Sequence, residues 1–212
     1  MFNDRHDAGT MLAEKLLDYA EAKPIVYALP RGGLPVAEAV ASRLSAPLDL
    51  ILVRKLGAPR QPELAIGAIV DGASPAVILH DDLIADLGVT QKYIEEAKNN
   101  ALAEIERRRK LYMRGATGPA PAGRTVVIVD DGLATGATME AAVKAMRNAK
   151  AKHIVVAVPV APAETVAALR RIADEVVCLE TPSPFWSVGG QYRSFPQLTD
   201  ADVIETLARC RL

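Results

Sequence analysis

Two cysteines in 212 residues leave no disulfide framework to read. Cys178 lies in the apolar run EVVCLE and Cys210 near the C-terminus, a pattern of one buried and one surface thiol rather than a bridge or a metal site. Aromatic residues make up only 4% of the chain, and there is one tryptophan, Trp186. The net charge is −1, so no global field draws nucleic acid or an acidic membrane, and any anion must be held by a local site. No apolar run approaches membrane-spanning length, and MFNDRHDAGT is too polar for a signal peptide. A cytoplasmic protein is expected. The three histidines, His6, His80 and His153, stand at a terminus or at strand ends and read as structural.

What the chain does contain is ample core: half of its residues are apolar. Seven apolar runs, at 24–29, 48–53, 65–70, 76–80, 125–130, 153–158 and 175–180, read as strands buried on both faces of a mostly parallel sheet. Helical spacing falls between them at about 9–22, 34–44, 137–149 and 163–172. This alternation predicts an α/β doubly wound fold, with ligands at the carboxyl ends of the strands. One domain over 1–212 is expected, interrupted twice. A helical insertion occupies about 81–117; its run TQKYIEEAKNNALAEIERRRKLYM has Thr90 as a cap and ERRRK as a solvated face, and GATGPAPAG (115–123) follows as a linker. A tail at about 181–212 carries TPSPFWSVGGQYRSFPQL, whose aromatics on irregular backbone suggest a hood over the ligand edge of the sheet.

The segment VVIVDDGLATGATMEAAV (126–143) puts two acids between a buried strand and a Gly/Thr turn into a helix. Successive N–H groups from Ala134 to Thr138, backed by a helix N-terminus, suit a phosphate monoester. Asp130 and Asp131 fall short of that nest, where they would accept hydrogen bonds from a sugar diol and attract Mg2+. It is neither a Walker loop nor GxGxxG. A phosphorylated ribose satisfies both halves.

VVIVDDGLATGAT resembles the phosphoribosyl-pyrophosphate (PRPP) motif of type I phosphoribosyltransferases, and is most similar to the adenine phosphoribosyltransferase version. The resemblance implies that fold, with Mg2+ as cofactor and with Asp130 and Asp131 as catalytic and metal-binding residues on the ribose hydroxyls. It also implies that Ala134, Thr135, Gly136, Ala137 and Thr138 hold the 5-phosphate. ALPRGGL stands where the family has its pyrophosphate loop, giving Arg31, Gly32 and Gly33 that role and implying a strained or cis Arg31–Gly32 peptide. VRKLGAPRQPE would add Arg54 and Lys55 to the pyrophosphate, with Arg60 and Glu63 on a mobile loop. The FWSVG tail is loosely similar to the base-stacking tail of hypoxanthine–guanine enzymes, which makes Phe185, Trp186 and Val188 acceptor residues. Those enzymes carry an acid where Ala134 stands, so Glu63 is the first substitute as general acid or base; Arg193 would meet an anionic acceptor. The whole chain also resembles a narrower bacterial group of unassigned acceptor that shares the DRHDAG start and the RKLGAP segment. The expected partners are PRPP, a nitrogenous acceptor and a second copy in a homodimer, with no nucleic acid and no membrane. Two rivals stay open: a regulator that keeps the site as a sensor, and a nucleotide-binding protein without phosphoribosyl chemistry.

Overall fold

The computed structural model describes residues 1–71, 75–113 and 118–210. Five strands form one parallel sheet in the order β2-β1-β6-β7-β8: β1 (Ile25–Ala28), β2 (Leu48–Leu50), β6 (Thr125–Val129), β7 (His153–Val160) and β8 (Glu175–Glu180). Parallel strands in a doubly wound sheet are covered on both faces, so alternate residues of each strand enter different cores. Along β6, Val127 and Val129 join α2 (Gly33–Arg43), α4 (Gln91–Met113) and α7 (Asp200–Cys210). Val126 and Ile128 join α5 (Ala137–Asn148) and α6 (Ala163–Leu169) on the other face. All four residues are fully buried.

The chain winds from β1 toward β2 in one direction and from β6 toward β8 in the other. The boundary between β1 and β6 is therefore the switch point, where open α/β sheets place their ligand crevice. The loops after β1 and β6 open there side by side, with Ala28 paired to Val129.

Two expected strands fall elsewhere. The runs at 65–70 and 76–80 lie in β4 (Gln61–Val70) and β5 (Ala76–Leu79), which with β3 (Val53–Ala58) make a separate antiparallel sheet, β3-β4-β5. An apolar run reports burial but not the direction of its partner, so the parallel expectation was wrong for these two. The stretch GAPRQPE is likewise no open loop. It is the end of a β3–β4 ribbon that turns at Pro59 and at Arg60, whose φ is 64°.

The helical insertion consists of α3 (Asp81–Asp86) and α4. Thr90 Oγ1 accepts from Tyr93 N at 3.3 Å as the expected cap, and 114–117, with the first part of the linker, lie outside the described residues. The helix expected at 9–22 is α1 (Arg5–Glu14) followed by a 3-10 turn at 17–22. The tail runs irregularly to α7, which was not foreseen, and no described helix is long and apolar enough to cross a membrane.

Candidate active site

Everything in the crevice is built from two loops and a strap. After β1, the chain turns through Arg31 and Gly32 into α2, and Gly33 N donates to Leu29 O at 3.1 Å. A cis peptide lies between Pro30 and Arg31, one bond earlier than the resemblance implied. This loop lies directly on the acid pair. A Cβ at Gly32 would sit 2.1 Å from Asp131 Oδ2, and one at Gly33 would sit 2.7 Å from Val129 O and 2.8 Å from Asp130 Cα. Glycine is used here because the backbone must approach that closely. Two segments about a hundred residues apart thus form one cradle, with carboxylates in its floor.

After β6, Asp131 N donates to Asp130 Oδ1 at 2.9 Å. Burial pushes both carboxyls above the ordinary carboxylate range, and the charge of Asp131 pushes Asp130 further. At Asp131 the rise is opposed by Arg5, whose Nε donates to Oδ2 at 2.7 Å. The two side chains are only 9% and 13% exposed, so the pair acts in a poorly solvated setting. The Arg5 guanidinium therefore favours the anionic form of Asp131, and Asp130, without such a bond, takes up a proton more readily.

The predicted phosphate loop has the shape an anion needs. Leu133 is buried, and its N–H donates to Val160 O at 2.9 Å, anchoring the loop to β7. The buried Thr165 donates from Oγ1 to Ala134 O at 2.7 Å. With that carbonyl turned aside, the N–H groups of Ala134, Thr135 and Gly136 donate to no other described residue. Gly136, at φ 75°, caps α5, and Ala137 and Thr138 open its first turn, where backbone donors are unpaired.

The strap is the tail. Val188 Cγ1 would lie 2.6 Å from a Cβ on Gly132, whose φ is 154°, so the tail crosses the acid-pair loop itself. Phe185 is half-buried beside Phe2, Val160 and Tyr192, whereas Trp186 is 85% exposed. Arg193 does not reach into the crevice; its Nη1 donates to Asn3 Oδ1 at 3.2 Å, on the exposed side of the N-terminal segment.

The ribbon residues are not gathered with the rest. Exposed Lys55 lines a crevice with Ala137, Glu140 and Lys144 of α5, near the phosphate loop. Arg54, one residue away on a strand, faces the opposite side, with Leu56, which is buried in the same core as α4. The backbone of Glu63 lies on β4, and its side chain is outside the described part of the residue.

Sequence reasoning missed Arg5, Tyr192, Phe195, Thr165 and Asp200. Arg5 left one trace: it is a cation in the first turn of a helix capped by Asp4, where the helix dipole disfavours it. Asp200 ties the insertion to the site. It faces Arg31 Nη1 at 3.5 Å and Arg107 Nη2 at 3.7 Å and accepts from the Tyr112 hydroxyl. Arg107 nevertheless stays on the solvated face expected of ERRRK, exposed and paired with Glu104 at 2.8 Å, as does Lys110, paired with Glu106 at 2.8 Å.

Comparison with known proteins agrees with this geometry. The family model described as "Phosphoribosyl transferase domain" matches residues 4–193, most of the chain. A protein of Mycobacterium tuberculosis (strain H37Rv) named "Putative phosphoribosyl transferase Rv0571c" is 44% identical over 209 residues. That alignment covers 99% of this chain and 47% of the relative, so the chain spans about half the length of the curated relative it matches. The crystal structure of TT1426 from Thermus thermophilus superposes with a TM-score of 0.85 at 42% identity, covering 99% of this chain and 98% of that one. AQ2163 from Aquifex aeolicus, at 14% identity and a TM-score of 0.50 over 94% of this chain and 81% of its own, shares the fold. The chain belongs to the phosphoribosyl transferase domain family and has its α/β fold.

Proposed function

We propose that the chain, as one domain, transfers a 5-phosphoribosyl group from PRPP to a ring nitrogen of an acceptor and releases pyrophosphate. The observation that carries this reading is the contact of the Arg31–Gly33 loop with the Asp130–Asp131 pair, too close at Gly32 for a side chain. A ligand spanning that junction meets carboxylates at its middle, a donor nest at one end and a cationic glycine loop at the other. A sugar diol with a phosphate on one side and a pyrophosphate on the other has that sequence of groups.

In this reading the N–H groups of 134–138 and the hydroxyls of Thr135 and Thr138 hold the 5-phosphate, and the carboxylates accept from the 2- and 3-hydroxyls. The bond from C1 to the pyrophosphate oxygen breaks with its electrons leaving on pyrophosphate. The acceptor nitrogen supplies the pair for the new bond and then loses its proton. Arg31 and the N–H of Gly32 stabilise the charge that collects on the leaving group, the N–H of Gly33 being bonded to Leu29 O, and the Asp131 carboxylate offsets positive charge on ribose. Exposed Trp186 offers a flat face for an aromatic acceptor. Glu63, on the ribbon, is the residue assigned to proton transfer, since Ala134 offers none.

The donor set also suits Mg2+. Arg5 donates to Asp131 Oδ2 and the N–H of Asp131 donates to Asp130 Oδ1. Among the described residues no third His, Cys, Asp or Glu completes a cage. Two carboxylates without further protein ligands fit a Mg2+ whose other ligands are water and substrate oxygens, and the ion would supply charge neutralisation at the leaving group.

Calorimetric titration with PRPP and Mg2+, beside ribose 5-phosphate and AMP, tests the site on wild type and Asp131→Asn. Magnesium-dependent binding of PRPP, weakened by the substitution, is expected. No binding by folded wild type at millimolar ligand would remove the proposal. Binding without pyrophosphate release across a panel of heterocyclic acceptors would turn the enzyme into the sensor.

A further inference from the structure

Arg5 touches more than Asp131. Its Nη1 donates to Pro196 O at 2.9 Å, and its guanidinium carbon lies 3.7 Å from the centre of the Phe195 ring. One buried side chain thus contacts the carboxylate in the floor and two successive residues of the strap. Few residues other than arginine can do this, because its planar fork presents donors in two directions while its face stacks on a ring.

Around that contact the strap is laced to the chain's first residues. Phe2 N donates to Gln191 O, Arg193 N to Phe2 O and Ser194 N to Asn3 O, each at 2.9 Å. The Tyr192 hydroxyl donates to the backbone oxygen of Asp131, and Tyr192 packs on Phe2 and Phe195 with ring centres 5.4 and 4.9 Å apart. Gly189, next to Val188, backs onto the Phe195 ring, where a Cβ would sit 2.9 Å away. A path of direct contacts therefore runs from the Asp131 carboxylate through Arg5 and Phe195 to the Val188–Gly189 segment over the crevice.

We infer that Arg5 is a positioning residue that couples the sugar-binding carboxylate to the acceptor-facing tail, so that a diol seated on Asp131 sets the posture of residues 185–196. The inference rests on the proposed sugar site for its ligand but not for its mechanics. A diol hydrogen-bonded to Asp131 redirects that carboxylate; the guanidinium must follow to keep its 2.7 Å bond, and Phe195 and Pro196 are attached to it. Arg5 gains nothing from its own helix by standing in the first turn, which agrees with a placement made for the site.

The test has an arm without ligand and an arm with it. Without ligand, hydrogen exchange at the amides of Arg193 and Ser194 is compared in wild type and Asp131→Asn, a substitution of nearly equal shape. Coupling predicts exchange faster by about tenfold or more, the loss of a charged hydrogen bond being transmitted to the strap. Unchanged exchange would mean that Arg5 merely pins the tail, and would overturn the inference. With ligand, saturating ribose 5-phosphate is expected to slow exchange at 189–196 and shift the emission of Trp186, the only tryptophan and itself in the tail. In Arg5→Lys, calorimetry should still detect the sugar phosphate at about tenfold weaker affinity, while the tail response falls by more than half. A full tail response in that variant would also overturn the inference. If Arg5→Lys does not fold, Phe195→Leu keeps the ion pair and removes the stacking; an undiminished response there has the same meaning. If wild type binds neither ribose 5-phosphate nor PRPP with Mg2+, the proposed function falls, and the ligand-free arm still decides the coupling.

Discussion

Gly32→Ala is the substitution with the sharpest consequence. The backbone at Gly32 has φ −58° and ψ −41°, which alanine adopts freely. In open space the change would stabilise the protein by roughly 0.4–1 kcal/mol through the unfolded chain. Here the new methyl would stand 2.1 Å from Asp131 Oδ2 and 2.6 Å from its Cγ. The obstacle is the end of a side chain, so the carboxylate would have to retreat by roughly 1 Å or more to reach van der Waals contact. It is not free to do so, because Arg5 holds the same oxygen at 2.7 Å. Giving up that charged hydrogen bond costs about 1.5–3 kcal/mol, and stranding a buried guanidinium costs about 3–5 kcal/mol if nothing replaces its partner. Against the entropic gain, the net loss is about 1–4 kcal/mol, a fall in Tm of about 3–12 °C for a chain of this length. Thermal melts followed by circular dichroism would measure it. The same substitution in an Asp131→Ala background, where the obstructing carboxylate is gone, should cost less than about 0.5 kcal/mol. A Gly32→Ala variant as stable as wild type, or an equal loss in both backgrounds, would refute the reasoning.

Thr165→Val removes the donor to Ala134 O and should lower stability by about 1 kcal/mol in urea titration, with weaker ribose 5-phosphate binding as the loop loses its anchor. Tyr192→Phe leaves the Asp131 carbonyl without its phenol partner and should cost about 1–3 kcal/mol by the same assay. Asp71 gives a pH signature. It closes the base of the ribbon, donating from N to Leu52 O at 2.9 Å and accepting from Leu52 N at 2.8 Å. Burial lifts its carboxyl from 3.8 to about 6, opposed by the bond from Leu52 N and by Arg109. The folded state holds this proton more tightly than the unfolded state, so its contribution to stability is full below about pH 4 and is lost as pH rises through about 6. Asp71→Asn should flatten that fall, worth about 3 kcal/mol between the two limits, in urea midpoints measured from pH 4 to 7.5.

Those features of the fold and site that depend on neighbours in sequence were legible beforehand. The alternation of apolar runs gave the winding, and strand, acid pair and Gly/Thr turn are contiguous, so Asp130, Asp131 and 134–138 could be read together. The β3-β4-β5 sheet was misread because Ile66 and Ile69 are as buried in an antiparallel partner as they would be in a parallel one. Arg5 and Asp131 are 126 positions apart, and Arg5 and Pro196 are 191 apart, distances over which a single sequence carries no pairing signal. The off-rhythm cation in a capped first turn was the available hint. The ribbon's Arg54 and Lys55 were grouped because they adjoin in sequence, yet adjacency on a strand is what separates their side chains.

The crevice at the switch point also bears on how the chain folds. Its two halves meet only when β1 pairs with β6, Ile25 against Val126, across about a hundred residues that include the ribbon and the insertion. Such a closure is slow compared with helix formation in α4, whose Glu104–Arg108 pair is local. During refolding, helical signal should therefore recover well before any capacity to bind sugar phosphate. A ligand that recognises only the closed junction would act as a thermodynamic clasp on that one long-range pairing, raising the melting temperature with its concentration.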